Sequence, residues 1–162
     1  MRSLSTGLFI GAFAAGALYA EFLHVEQSVG GLDCISCAQS VDRTLKRIKG
    51  VEKATFRTAD AVAVLELKPG NTARLEEIHD AVKRIGYTPK QAKVSVRGQA
   101  RMEGQKWLFR VAGTDAEYSL EAPGQGIAEQ LRQCAGAISI IDGFIAADRG
   151  APLKVSSVRR VE

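Results

Sequence analysis

Two cysteines stand three positions apart in the run Gly31-Leu32-Asp33-Cys34-Ile35-Ser36-Cys37. Residues 24–31 before the pair are typical of a strand, and apolar side chains after it recur at helical spacing. The pair is therefore predicted on the loop that leaves a strand and on the first turn of a helix. There, free N–H groups and the helix dipole favour thiolate over thiol. Two thiolates on an exposed loop predict a site for a soft or borderline metal ion.

The N-terminal segment bears on where the protein works. Arg2 precedes residues 7–20, which carry no charge and fall short of the ~20 residues of a membrane-spanning helix. This pattern is typical of a secretory signal that is cleaved, and an uncleaved anchor over residues 4–23 is the competing interpretation. We expect residues 1–20 to be a signal peptide or an N-terminal membrane anchor. The body of the protein is then exported, to the periplasm if the host is bacterial.

Export leaves the redox state of the cysteines open. An oxidising compartment can join Cys34 and Cys37 in a disulfide. Cys134, the third cysteine of the chain, is expected to be a small buried hydrophobe. A third thiol ligand or an intermolecular disulfide is the alternative for Cys134.

Composition narrows the class of protein. The chain has 162 residues, 46% of them hydrophobic and 25% charged, which suits one ordinary globular domain or two small ones. The net charge is +4, only 6% of residues are aromatic and no block of Lys and Arg stands out. These values do not favour nucleic-acid binding. We expect a monomer.

Residues 21–97 read as strand, helix, strand, strand, helix, strand. The first helix is expected at about 35–49. The second helix is expected to be capped by Thr72 and to carry an apolar face that ends at Ile85. The later strands are expected at 51–57, 61–67 and 87–96. Two helices on one face of an antiparallel sheet predict an α+β fold, here a ferredoxin-like βαββαβ sandwich.

Several residues of this region have the order and spacing of a known domain family. They are Gly31-x-x-Cys34-x-x-Cys37, Val41, Leu45, Gly50-Val51 and Ile85-Gly86-Tyr87. Together they resemble the heavy-metal-associated domain family, whose members are copper chaperones, periplasmic mercury-binding proteins and N-terminal modules of metal-pumping ATPases. The resemblance implies that Cys34 and Cys37 are the metal ligands. It also implies that Tyr87 lies on a loop that faces the metal, where it shields the ion without being one of its ligands.

Two positions depart from the family pattern. Leu32 replaces the usual Met beneath the loop, and Asp33 stands where copper and mercury binders have Thr or a similar small residue. Asp33 resembles the modules of ATPases that pump zinc, cadmium or lead, in which this carboxylate is a third ligand. Zinc accepts carboxylate oxygen, whereas two thiolates suffice for copper(I) or mercury(II). A helix-capping role for Asp33 is the alternative, and the metal stays open among the zinc, cadmium and lead group, copper(I) and mercury(II).

Residues 98–162 show three strands, a helix and two strands, the order of a small five-stranded OB-like β-barrel. The strands are expected at 99–103, 106–111, 116–122, 137–146 and 153–161, and the helix at 127–134. Trp107, Phe109 and Tyr118 are expected to point inward or to be scattered. A barrel that stacks nucleic-acid bases would instead present such rings on a basic groove.

The combined prediction is an exported heavy-metal-binding protein, not an enzyme. It would be a metallochaperone or transport accessory that passes its ion by ligand exchange to a metal transporter or another metal-binding protein. Basic residues of the first helix would steer docking to an acidic face: Arg43, Lys46, Arg47 and Lys49. The alternatives are a periplasmic thiol–disulfide oxidoreductase and a redox or metal sensor module. His24 and His79 are expected to be ordinary surface or rim residues.

Overall fold

The computed structural model of the chain describes residues 21–31, 35–111, 113–122 and 124–161, and for residues 35–37 it describes the backbone alone. Eight strands and three helices lie within these ranges. In chain order they are β1 (Glu21–Gly30), α1 (Ile35–Lys46), β2 (Val51–Arg57), β3 (Val62–Leu67), α2 (Leu75–Arg84), β4 (Thr88–Glu103), β5 (Lys106–Arg110), β6 (Glu117–Glu121), α3 (Gln125–Cys134), β7 (Ile138–Ile145) and β8 (Leu153–Arg160). Among the described residues, no helix combines the length and the apolar character needed to cross a bilayer.

The first half is the predicted α+β, ferredoxin-like sandwich. Strands β2, β3, β1 and β4 pair in this order, each antiparallel to its neighbour. Helix α1 contacts α2, β2 and β3, and α2 contacts β4. Val25, Leu45, Leu65, Ile78 and Val82 are fully buried between the helices and the sheet. Burial of this apolar layer is the main force that fixes the two helices on the sheet.

The second half closes into a five-stranded barrel. Strand β4 pairs with β5, β5 with β6, β6 with β8, β8 with β7, and β7 pairs back to β4. The β6–β8 pairing is parallel and the other four are antiparallel. Helix α3 lies between β6 and β7 in the chain and packs on β8. The predicted order of three strands, a helix and two strands is observed.

Strand β4 belongs to both halves. It runs for 16 residues, pairs with β1 through Arg97 and with β5 from Gln99 onward, and pairs with β7 over residues 92–99. The sequence pattern predicts two separate strands here, and the predicted boundary between residues 97 and 98 falls inside the one observed strand. The alternation of buried positions continues through the boundary without a break. The two halves also share one hydrophobic core, in which the Phe22 and Tyr118 rings meet edge-to-face with centroids 6.4 Å apart.

Gly98 is needed in β4 because another part of the backbone approaches it closely. A Cβ atom at this position would overlap the carbonyl oxygen of Arg110 and would lie 2.7 Å from Cζ of the Phe109 ring. The Arg110 oxygen is backbone and the Phe109 ring is fully buried, so neither can move aside freely. Glycine here permits the tight approach of β4 and β5 rather than a turn.

We expect Gly98→Ala to lower the free energy of unfolding by about 3 kcal/mol, because the added methyl group overpacks the barrel. Gly126→Ala is the matched control, since Gly126 lies in α3 with no atom near the position of a Cβ. That control should leave the free energy of unfolding unchanged or raise it by up to about 1 kcal/mol. Urea denaturation of the two variants measures the difference, and equal stabilities would contradict the proposed close approach.

Two helix ends differ from the sequence prediction. Helix α1 ends at Lys46 rather than near residue 49, because the chain tightens into a turn in which Ile48 N–H donates to the Leu45 carbonyl at 3.1 Å. The prediction that Thr72 caps α2 is wrong, since the N-cap residue is Arg74. Asn71 instead anchors this segment: its buried side-chain amide donates to the Phe22 and Lys68 carbonyls, and its oxygen accepts from Ala73 N–H.

Candidate metal centre

The predicted metal loop lies between the end of β1 and the start of α1. Gly30, the last residue of β1, pairs with Thr88 of β4, and α1 begins at Ile35. Gly31 is exposed and has a φ of +84°, a backbone conformation that favours glycine. The chain therefore leaves the sheet at Gly31 and enters the helix four residues later.

The predicted ligands fall at this junction in the sequence. The backbone of Cys37 belongs to the first turn of α1, while its side chain lies outside the described part of the structure. Leu32, Asp33 and Cys34 also lie outside the described residues. The roles of Cys34, Cys37 and Asp33 therefore stay predictions, supported by the elements on either side of them.

Helix α1 gives the junction a positive electrostatic character. Its first turn contains no acidic residue, and the basic residues Arg43 and Lys46 lie in its last turn. Free N–H groups and the macrodipole make the N-terminal end of any such helix attractive to anions. Val41 and Leu45 are fully buried, so the helix is held firmly against the sheet. A thiolate at this end would be stabilised relative to its thiol.

Tyr87 lies at the same end of the sheet as the loop. It is half-buried against the core, and its N–H donates to the Val82 carbonyl at 3.2 Å. The next residue, Thr88, is the β4 partner of Gly30. The shielding role that the resemblance implies for Tyr87 stays a prediction, because residues 32–34 of the loop lie outside the described residues.

Lys90 is a neighbour of the loop that no local sequence pattern indicates. Its side chain extends along Gly30, where a Cβ atom would lie 2.7 Å from Cε and 3.5 Å from Nζ of Lys90. A lysine ammonium beside a thiolate pair favours the charged form of sulfur. The approach of the Lys90 side chain to Gly30, whose own β4 partner is Thr88, depends on the register of β1 and β4, which the local pattern does not reveal.

The two histidines have different environments. His24 is partly exposed, and its Nε2 lies 3.4 Å from Oε1 of Glu26. His79 is 7% exposed, and its Nε2 has no hydrogen-bond partner among the residues that the structure describes. The prediction that His79 is a surface or rim residue is wrong, because the barrel lies against the face of α2 that carries it. Burial lowers the pKa of His79.

The remaining predicted side chains lie as follows. Cys134 is buried and free at the end of α3, which agrees with a small buried hydrophobe. Phe109 and Tyr118 are buried and Trp107 is half-buried, so these rings point inward.

The predicted basic residues of α1 and the turn after it are exposed, and none forms an ion pair with another described residue. They are Arg43, Lys46, Arg47 and Lys49.

Known proteins resemble the first half of the chain. The zinc-transporting ATPase of Synechocystis sp. is 31% identical over 71 residues, which are 44% of this chain and 10% of the relative. The probable copper-transporting ATPase PacS of the same organism is 29% identical over 79 residues, 49% of this chain and 10% of the relative. This chain spans about a tenth of the length of these curated relatives.

The apo form of the copper chaperone of Enterococcus hirae is a solved structure with 30% sequence identity to this chain. The match covers 43% of this chain and 97% of the chaperone, with a TM-score of 0.37.

The sequence model of the heavy-metal-associated domain family matches residues 27–88. That segment begins within β1, includes the cysteine pair, both helices and the two strands between them, and ends where β4 begins. Residues 27–88 of this chain are therefore a heavy-metal-associated domain.

Proposed function

We propose that the chain binds one soft or borderline metal ion through Cys34 and Cys37 and passes it to a metal transporter or another metal-binding protein. The observation that carries this proposal is the strand–loop–helix junction, in which β1 ends at Gly30 and α1 begins at Ile35 inside a heavy-metal-associated domain. The chain acts as a carrier and not as an enzyme. The ion is its cargo.

Transfer proceeds by ligand exchange. A thiolate of the partner adds to the bound ion, and then one cysteine sulfur of this chain leaves, so that sulfur–metal bonds form and break while the metal keeps its oxidation state. The step needs an exposed site, and Gly31 at the start of the loop is exposed. The helix dipole of α1 and the ammonium of Lys90 keep the cysteines ionised. Tyr87 shields the ion on the β4 side without binding it.

The basic residues of α1 steer docking to an acidic face of the acceptor, because charges of opposite sign accelerate encounter. The relatives include a zinc-transporting and a probable copper-transporting ATPase, so an acceptor of that class suits either metal. Export of the body, with residues 1–20 as a signal or anchor, remains part of the proposal. The closed barrel, which we propose to be OB-like, positions the metal domain.

Asp33→Thr tests which metal group is carried. If the Asp33 carboxylate is a third ligand, its loss should weaken zinc binding by about 10–100-fold, a typical cost of perturbing a zinc site. Copper(I) affinity should fall by less than about threefold, because two thiolates suffice for that ion. Competition titrations of the reduced protein measure both constants. Unchanged zinc affinity would show that Asp33 is not a ligand, because Thr can cap a helix N-terminus in place of Asp.

The position of the pair at a helix N-terminus also suits a thiol–disulfide oxidoreductase or a redox or metal sensor. An insulin-reduction assay separates the first alternative from a carrier, because catalytic turnover is expected only of an oxidoreductase. Titration of free thiols in protein isolated from its native compartment establishes the redox state of the pair. A permanent Cys34–Cys37 disulfide there would exclude metal transfer.

A further inference from the structure

His79 is a buried titratable side chain that the proposed carrier function does not use. It lies on α2 and is almost completely buried. Nε2 of its ring is shielded from solvent and has no hydrogen-bond partner within the described part of the chain. Leaving such an atom unpaired is unfavourable. The closed fold is therefore less stable at this position than one with a matched partner would be.

His79 lies where α2 meets the barrel. Ile78 and Val82, on the neighbouring face of α2, are fully buried against the sandwich. His79 borders a cavity of about 380 Å³ whose other wall is formed by β6 and the connection between β7 and β8. Residues 148–150 of that connection are exposed, so solvent reaches the cavity from this side. A space of this size means that α2 and the barrel touch over only part of their facing surfaces.

The charges that α2 places around His79 oppose one another. Burial of the ring is the largest influence on its protonation, and it disfavours the charged imidazolium. Lys83 adds to this effect, whereas the carboxylates of Glu76 and Asp80 favour the imidazolium. The balance lowers the pKa of His79 from its usual value of 6.5. The ring is therefore neutral in the closed fold at neutral pH.

The barrel provides little negative charge to offset an imidazolium at His79. Burial raises the pKa of Tyr118, so the phenol of this neighbour stays uncharged. Protonation of His79 in the closed fold would therefore gain little from this wall. The carboxylates that border the cavity on the barrel side are each beside a basic side chain: Asp115 with Arg74 at 3.3 Å, Glu117 with Arg101 at 3.1 Å, and Asp148 with its chain neighbour Arg149.

The sign of the pH dependence follows from these influences. In an open arrangement, water surrounds the imidazole and its pKa returns to about 6.5. The open form then binds a proton at a pH at which the closed form stays neutral, so acidification below about pH 6.5 favours opening. Above that pH neither form is protonated, and the closed form keeps its full stability. Because a single proton is involved, the opening equilibrium shifts by at most about tenfold per pH unit.

We propose that His79 is a pH-sensitive switch that loosens the contact between α2 and the barrel when its imidazole is protonated. The part that yields is the β7–β8 connection, residues 146–152, because its middle is exposed whereas α2 is held on the sandwich by buried apolar side chains. Strand β4 continues through both halves, so they loosen without separating. The switch does not depend on the cysteine pair or on the proposed metal transfer.

Hydrogen–deuterium exchange of the full chain tests the switch between about pH 7.5 and about pH 5.5, the range in which an unperturbed histidine changes its charge. The Cys34→Ser/Cys37→Ser background excludes effects of metal binding and thiol chemistry. After correction for intrinsic exchange rates, we expect the protection of β6 and residues 146–152 to fall by about 3–10-fold at the lower pH. The buried strands β1 and β3 should keep their protection.

His79→Phe should abolish the acid-induced loss, because it replaces the titrating ring with one that cannot bind a proton. It also removes an unpaired polar atom, so it should not lower the free energy of unfolding at about pH 7.5. His79→Gln, which is polar but does not titrate, is the second variant in case the phenyl ring disturbs the packing. His24→Gln is the matched control and should retain the loss, since His24 is the other histidine of the chain and is partly exposed.

Three results would overturn the proposal. If both variants at position 79 lose protection with acid as the unaltered chain does, other groups are responsible. If β1 and β3 lose protection to the same extent as residues 146–152, acid weakens the whole fold and not the contact between α2 and the barrel. If His24→Gln abolishes the response, the other histidine is the titrating group.

Discussion

Cys34→Ser/Cys37→Ser should weaken binding of the preferred metal ion by at least about 1,000-fold. Binding of zinc by the structural sites of zinc-finger peptides releases about 10–16 kcal/mol, and a 1,000-fold loss of affinity is only about 4 kcal/mol. A serine hydroxyl stays protonated near neutral pH and cannot replace a thiolate. Competition against a chromophoric chelator under reducing conditions measures the constant.

Cys134→Ser is the matched control for the double variant. Cys134 is buried at the end of α3, so its replacement should lower stability somewhat but leave the metal affinity unchanged. If the double variant binds the ion as tightly as the unaltered chain, Cys34 and Cys37 are not the ligands. If Cys134→Ser weakens binding, the third thiol takes part in the site.

Phe109→Ala should lower the free energy of unfolding by about 3–5 kcal/mol, the usual cost of removing a buried aromatic ring. Phe109 is fully buried in the barrel and packs over Gly98 of β4. Phe144 is 36% exposed on β7, so Phe144→Ala should cost less than about 1 kcal/mol. Urea denaturation of the two variants gives the comparison, and equal losses would contradict the assigned core.

The same experiment tests whether the two halves unfold together. Strand β4 is shared and the hydrophobic core is continuous, so we expect one transition in which both halves lose structure. The fluorescence of Trp107, the single tryptophan of the chain, reports on the barrel. Far-UV circular dichroism also follows α1 and α2. Midpoints that differ between the two probes would show that the boundary between residues 97 and 98 separates two independent domains.

Much of the first half could be predicted from local pattern. The strand Val51–Arg57 was predicted with its observed bounds, because its alternation is bounded by Gly50 and by the turn at residues 58–61. The continuity of β4 was missed because Gly98 resembles a break. The role of Gly98 depends on how closely the Arg110 carbonyl approaches it across the β4–β5 hairpin, which the alternation of apolar residues does not show.

For the candidate site, too, local patterns predicted some features and could not predict others. The position of the cysteine pair between a strand and a helix followed from spacing alone, and the ends of β1 and α1 agree with it. No local pattern indicates the place of Lys90 beside Gly30, and the prediction for His79 is wrong, because both environments arise from contacts between distant elements. Such contacts join distant parts of the chain, so they become visible only in three dimensions.

The most direct test of the carrier account is element-specific analysis of the purified, reduced chain after it is offered zinc, cadmium, copper(I) and mercury(II) together. The account predicts one equivalent of a single element per chain, released when a thiolate competitor is added in excess. A chain that retains no metal after removal of unbound ions would contradict it.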